Sequence, residues 1–109
     1  MSTPYTVIPN LSAHHEIEES GTLSQTLLNN DQLKAVWFGF AAGEELSDHT
    51  STMPAILHVL RGEALLTLGD DRVQAQAGTW VHMPPNLNHS VLAKTEMMML
   101  LILIKTKES

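Results

Sequence analysis

The sequence predicts an all-β domain, a sandwich or a barrel, because short apolar runs alternate with turn residues along most of its length. Asparagine, aspartate, glycine and proline separate the runs, and these residues favour tight turns. We identify no repeat, linker or low-complexity segment. The predicted strands are residues 22–28, 33–41, 55–60, 64–68, 72–75, 79–83, 90–93 and 97–104.

The composition is that of one folded domain. The chain has 109 residues, of which 43% are hydrophobic and 17% are charged, and this balance argues against disorder. A chain of this length has room for one ordinary hydrophobic core and none for a second domain. We therefore expect an N-terminal segment over residues 1–20 and a single barrel domain over residues 21–107.

The charge and the cysteine content exclude several classes of function. Twelve acidic residues against six lysines and arginines give a net charge of −6, and no basic cluster is present. Nucleic acid and anionic membrane surfaces are therefore not expected as partners. The absence of cysteine excludes disulfides, a thiol nucleophile and cysteine-ligated metal sites.

Nothing near the N-terminus predicts export, and no segment predicts a membrane span. Residues 1–19 contain neither lysine nor arginine and no long apolar run, so a secretory signal is not expected. The most apolar run, residues 97–104, is much shorter than the roughly 20 residues of a membrane helix, and it is typical of a buried strand. We therefore expect a cytoplasmic protein.

Two predicted strands, residues 55–60 and 97–104, are apolar on both faces. In a closed sandwich the outer face of a strand is usually polar, so another part of the protein must cover these strands. The N-terminal segment could fold back over them, or a second copy of the chain could bind there. We predict a homodimer, because about 20 N-terminal residues are few for covering two strands.

Six histidines are the most distinctive feature of the composition. His14 and His15 lie in the polar N-terminal segment, where we expect a solvated surface role. The other four lie among the predicted strands and turns. Each of them alone is more often a packed or surface residue than a metal ligand, so the surrounding residues must decide: His49, His58, His82 and His89.

The spacing around His49 carries the first resemblance to a known family. Five residues separate Gly43 from His49, and six residues separate Ala55 from Gly62. This pattern resembles the first motif of the cupin superfamily: glycine, five residues, His-x-His, three or four residues, glutamate, six residues, glycine. Ser51 stands in place of the second histidine, and Ala55 stands in place of the glutamate.

The second cupin motif also has a counterpart. Gly78 is followed after five residues by Pro84, and His89 follows in the position of the motif histidine. Asn86 replaces a motif glycine, but asparagine tolerates the left-handed backbone conformation that a turn glycine often supplies. Ala93 takes the final asparagine position. The resemblance implies a cupin fold, which is a double-stranded β-helix or jelly-roll barrel.

The resemblance implies a metal site that this chain has partly lost. In metal-binding cupins, the paired histidines, the glutamate and the last histidine hold one divalent metal. This chain keeps His49 and His89 but has Ser51 and Ala55 at the other two positions. We expect either no cofactor or a weakly bound zinc, nickel, iron or manganese ion, with these two histidines as its protein ligands.

The same positions outline a candidate ligand pocket, and the predicted function follows from it. A largely apolar pocket with a few polar groups is the usual form of a small-molecule site. We predict a small-molecule binding protein, but a metal-dependent dioxygenase or isomerase and a purely structural dimer remain alternatives. Two histidines could also act as acid and base without metal, as in cupins that epimerise sugars, but no catalytic residue is identified. The predicted pocket residues are His49, Ser51, Ala55, Leu57 and His89.

His58 and His82 are not part of this pocket. His58 follows Ala55 by three residues, so a regular strand would point the two side chains to opposite faces. In the cupin arrangement the strands that carry His58 and His82 share a sheet. A cross-strand pair could then be a hydrogen-bonded structural pair, a dimer contact or half of a metal site.

Overall fold

Within the described residues the structure has nine strands, one more than the sequence predicts. The computed structural model describes residues 4–105, except for the side chains of residues 48 and 49, so residues 106 and 107 of the predicted barrel domain lie outside it. The eight predicted strands are present, with ends within one residue of the prediction. The additional strand is β3. The strands are β1 (Thr22–Asn29), β2 (Leu33–Phe40), β3 (Glu45–His49), β4 (Ala55–Arg61), β5 (Glu63–Leu68), β6 (Asp71–Gln76), β7 (Trp80–Met83), β8 (His89–Ala93) and β9 (Met97–Ile104).

The strands form two antiparallel sheets that enclose one core. The larger sheet has the order β1-β2-β9-β4-β7, and the smaller sheet has the order β3-β8-β5-β6. Most of the buried hydrophobic residues of the two sheets form a single core cluster, but Val36, Trp37 and Met98 of the larger sheet are buried outside it. The predicted all-β architecture is confirmed. The fully buried large side chains include Trp37, Phe40, Leu57, Leu66, Met83, Met97 and Met99.

The N-terminal segment lies on the outer face of the larger sheet and is held there by Trp37. A 3₁₀ turn, Leu11–Ala13, lies against β4. The indole Nε1 of Trp37 donates a hydrogen bond of 2.9 Å to the carbonyl oxygen of Leu11. The rings of His14 and His15 lie 5.8 Å and 6.1 Å from the indole ring, centroid to centroid. Trp37 is therefore fully buried even though it lies outside the barrel.

His14 is more engaged than the sequence suggested. Its Nε2 lies 2.7 Å from Oε1 of Gln25 on β1, and the side chain is half-buried. His15 remains exposed, with its Nδ1 2.8 Å from the carbonyl oxygen of Glu16. Both histidines are peripheral to the barrel, but His14 is a packing residue rather than a solvated one.

Two glycines lie where a side chain would collide with neighbouring atoms. Gly62, between β4 and β5, has a φ of 85°, and a Cβ there would collide with the carbonyl oxygen of Glu96 and lie 2.9 Å from Cα of Met97. Gly39 pairs regularly within β2, but a Cβ there would lie 2.7 Å from Cη2 of Trp37. Gly39 is therefore a site of close approach, which is one of the two roles that an isolated strand glycine suggests.

Across residues 4–105, no helix is long and apolar enough to cross a membrane.

Candidate functional site

The two cupin-like motifs meet at one end of the barrel. The loop that joins β3 to β4 and the loop that joins β7 to β8 both lie at this end, which we call the motif end. The backbone N–H of Asn86 donates a 2.7 Å hydrogen bond to the carbonyl oxygen of Ser51, and this bond ties the two loops together. The backbone N–H of Gly69 donates a 2.7 Å bond to the carbonyl oxygen of Asn88, so the turn after β5 is tied to the same loop.

Asn86 adopts the conformation that its motif position requires. Its φ is 68°, in the left-handed region that glycine enters most readily. The side chain of asparagine tolerates this region better than most others do. The replacement of the motif glycine therefore leaves the turn intact, as the sequence predicts.

His89 is a buried polar residue on the inner face of the barrel. It opens β8 and is only 6% exposed. Its Nδ1 lies 3.0 Å from the carbonyl oxygen of Leu87. Because a carbonyl oxygen can only accept, Nδ1 carries a proton, and in the neutral ring the lone pair is on Nε2. The local backbone thus selects both the orientation and the tautomer of the imidazole.

His49 is opposite His89 in the smaller sheet. The two residues are Cα partners in the antiparallel pairing of β3 with β8, after an irregularity between Leu46 and His49. Directly paired residues lie on the same face of a sheet. The side chain of His49 lies outside the described part of the structure, so its predicted place in the pocket remains a prediction.

Ser51 accepts two backbone hydrogen bonds in the loop between β3 and β4. Its hydroxyl oxygen accepts a 3.1 Å hydrogen bond from the backbone N–H of Met53, and its carbonyl oxygen accepts the bond from Asn86. The side chain is half-buried. Ser51 therefore shapes the loop that carries the first motif and connects it to the second.

Ala55 and Leu57 lie on the inner face of β4, as predicted. Both are buried, and both belong to the hydrophobic core cluster. Ala55 is paired with Met83 of β7 on one side and with Leu103 of β9 on the other. Leu57, at 1% exposure, is packed deep in the core, whereas Ala55 lies at the motif end of its strand. The neighbours of Ala55, which takes the place of the motif glutamate, are therefore apolar.

Three half-buried leucines lie at the motif end, and the sequence-based pocket omits them. Leu68 of β5 is paired with His89 on the side of β8 opposite to His49. Leu87 lies between Asn86 and His89, and Leu103 lies next to Ala55. All three pack against the core without being fully buried. Strand alternation could have placed Leu68 and Leu103 on the inner face, but only the fold shows which strand ends meet.

The structure separates His58 and His82 from this site. Both lie on the outer face of the larger sheet, where β4 pairs with β7 as the resemblance implies. His58 is directly opposite Trp80, and His82 is directly opposite Ile56. The two histidines are therefore diagonal neighbours rather than a directly opposed pair.

Within the described residues and side chains, no group of three or more histidines, aspartates and glutamates is close enough to hold a metal ion. A surface cavity of about 150 Å³ lies away from the motif end and is lined by polar residues and two alanines of β5 and β6, together with Thr79 and Lys94. A second cavity, of about 320 Å³, lies beside residues 4–6 of the N-terminal segment. Neither cavity is lined by the predicted pocket residues.

Comparison with family models gives a match over most of the barrel. Residues 36–105 match the model described as a cupin domain. The matched region begins in β2 and includes both motifs, His49 and His89. A search among curated proteins returned no significant match.

Solved structures with the same architecture come from several bacteria. A conserved protein of unknown function from Streptococcus pyogenes is 25% identical, with a TM-score of 0.86 over 97% of this chain and 93% of that chain. A cupin superfamily protein from Desulfitobacterium hafniense is 26% identical, with a TM-score of 0.83 over 91% and 90%. A cupin 2 conserved barrel domain protein from Leptotrichia buccalis is 32% identical, with a TM-score of 0.82 over 88% of this chain but 47% of that chain.

Proposed function

The chain belongs to the cupin domain family, and from this premise we propose that it binds a small organic molecule at the motif end of its barrel. His89 supplies the polar contact in this proposal, and His49 supplies a second one. The half-buried leucines around His89 supply the apolar wall. One fold hosts many functions, so the proposal depends on the site rather than on the family alone.

The observation that carries the proposal is the buried imidazole of His89. A polar side chain on an apolar inner face costs free energy unless it is hydrogen-bonded, and here Leu87 satisfies Nδ1. The tautomer fixed in this way leaves the lone pair of the neutral ring on Nε2, and in this proposal Nε2 is the atom that accepts a hydrogen bond from the ligand. Such a group suits a ligand with an apolar body and one hydroxyl or amide group that donates a hydrogen bond.

The residues present do not fit the four-ligand metal site of metal-binding cupins. Alanine has no donor atom, and the hydroxyl of Ser51 accepts a backbone hydrogen bond in its own loop. Two imidazoles lack both the carboxylate charge and the ligand number of the full set. The proposal therefore assigns no step to a metal, and the weakly bound divalent ion expected from the sequence is treated as a competing occupant.

The test is to identify what the purified protein carries. Freshly purified protein is denatured, and the released small molecules are identified by liquid chromatography with mass spectrometry, while metals are quantified in the same sample. The variant His89→Ala removes the proposed contact. The variant His82→Gln is the matched control, because His82 is an exposed histidine on the outside of the larger sheet.

We expect a defined organic compound in the wild-type protein and in His82→Gln, and a loss of at least tenfold in His89→Ala. One equivalent of a tightly held metal in the wild type would overturn the proposal in favour of a metal-dependent enzyme. Equal ligand content in all three proteins would also overturn it, because the contact with His89 would then contribute nothing.

A further inference from the structure

We propose that the surface cavity at the start of β5 and the end of β6 binds a small zwitterion, a molecule that carries one ammonium and one carboxylate group. We call it the polar cavity. Its volume of about 150 Å³ is several times what one water molecule needs, so it admits a molecule of several non-hydrogen atoms. The polar residues that line it are Glu63, Gln74, Gln76, Thr79 and Lys94.

The polar cavity is a second site, separate from the one at the motif end. β5 runs from Glu63 to Leu68, and Leu68 is the residue that pairs with His89. Glu63 therefore lies at the other end of the same strand. Lys94 directly follows the last residue of β8, the strand that His89 opens. Occupation of the polar cavity is thus independent of a ligand bound to His89.

Glu63 and Lys94 bring opposite charges to the polar cavity. Their backbones are joined, because the N–H of Lys94 donates a 2.9 Å hydrogen bond to the carbonyl oxygen of Glu63. The hydrogen bonds that these two residues make within the described part of the chain all use their backbone atoms. Both side chains are exposed. The carboxylate and the ammonium group are therefore both available to a ligand in the cavity.

The charge balance of the cavity indicates the class of ligand. A simple anion would be attracted by Lys94 but repelled by Glu63, and the opposite holds for a simple cation. The net charge of −6 on the whole chain disfavours an anion further. A zwitterion places its carboxylate at Lys94 and its ammonium group at Glu63, so both contacts are charge-assisted hydrogen bonds.

The uncharged residues of the lining provide further polar contacts. Gln74 and Gln76 are alternate residues of β6, so their amides lie on one face of the strand, where each can donate and accept hydrogen bonds. Thr79 fixes the end of this wall. Its Oγ1 accepts a 3.0 Å hydrogen bond from the backbone N–H of Gln76, and its own N–H donates a 2.9 Å bond to the Gln76 carbonyl oxygen. A compact α-amino acid suits such a lining.

The experiment titrates the isotope-labelled full chain at pH 7 with L-alanine and follows the backbone amide signals by NMR. Propionate and ethylamine are matched probes, because each keeps the carbon chain of alanine and only one of its two charges. Glu63→Gln and Lys94→Gln each remove one charge from the cavity at an exposed position. Glu45→Gln and Arg72→Gln are the controls, since they make the same charge changes at exposed positions of the smaller sheet outside the cavity lining.

We expect L-alanine to produce saturable shifts at the amides of the cavity lining, with a Kd of roughly millimolar size because exposed ion contacts are weak. Propionate and ethylamine should bind about fivefold more weakly, and so should L-alanine to either cavity variant. The two control variants should bind L-alanine as the wild type does.

Three results would overturn the proposal. The first is the absence of saturable shifts at these amides below about 50 mM L-alanine. The second is binding of propionate or ethylamine as tight as that of L-alanine. The third is unchanged binding of L-alanine in both Glu63→Gln and Lys94→Gln.

Discussion

Ser51 and Asn86 are joined by a backbone hydrogen bond of 2.7 Å, which links the first motif of the barrel to the second. Asn86 has a φ of 68°, in the left-handed region. Both residues replace the usual motif residue, a histidine and a glycine respectively. The two motif loops are therefore joined even though these two positions carry other side chains than the motifs have.

The conformation of Asn86 leads to the first prediction. Asn86→Gly should leave the free energy of unfolding within about 0.5 kcal/mol of the wild type, because glycine enters the left-handed region readily. Asn86→Val should lower it by about 1–2 kcal/mol, because a β-branched residue is strained there. Urea denaturation measures both values. Equal stability of the two variants would contradict this account of the turn.

Two glycines of the motifs, Gly62 and Gly78, lead to a matched comparison. Gly78 has a φ of 97°, and a Cβ there would meet no atom within 4 Å, whereas a Cβ at Gly62 would collide with the backbone at Glu96. Gly78→Ala should cost about 1–2 kcal/mol from backbone strain alone. Gly62→Ala adds a steric clash to the same strain and should cost about 3 kcal/mol or more. Thermal or urea unfolding measures both costs. Equal costs would contradict the claim that Gly62, unlike Gly78, has no room for a Cβ.

The attachment of the N-terminal segment should depend on Trp37. Trp37→Phe removes the donor to the Leu11 carbonyl, at a cost of about 1 kcal/mol. Because Glu16, Glu18 and Glu19 lie in the segment, digestion with a glutamate-specific protease reports its release. Cleavage there should be faster in Trp37→Phe than in the wild type. Trp80→Phe is the control and should not change it, and equal rates in all three proteins would show that Trp37 does not hold the segment.

Restoring the missing ligands should create a metal site. The double variant Ser51→His with Ala55→Glu supplies the histidine and the glutamate that the first motif lacks. Zinc or nickel should then raise the midpoint of unfolding, because a bound ion stabilises the folded state by mass action. The free energy of unfolding increases by about 2.7 kcal/mol when the metal concentration is 100 times Kd. The further change His89→Ala should abolish the effect. No stabilisation in the double variant would mean that these positions do not converge on one site.

The sequence was sufficient for most of the fold and for only part of the site. Eight strands were predictable because their apolar runs are bounded by turn residues, but β3 has a single apolar residue, Leu46, and lies at a sheet edge. The contact of His14 with Trp37 joins residues that are far apart in sequence, and no periodicity encodes it. Leu68 lies beside His89 because β5 pairs with β8, and the sequence does not reveal which strands pair.

The central claim is that His89 holds a small organic molecule at the motif end, and a crystal structure of freshly purified protein, with anomalous data for metals, tests it most directly. We expect organic density within hydrogen-bonding distance of the His89 imidazole, bordered by Leu68, Leu87 and Leu103, and no anomalous peak there. An anomalous peak within bonding distance of His89 would contradict the claim. A motif end filled by the three leucine side chains alone would also contradict it.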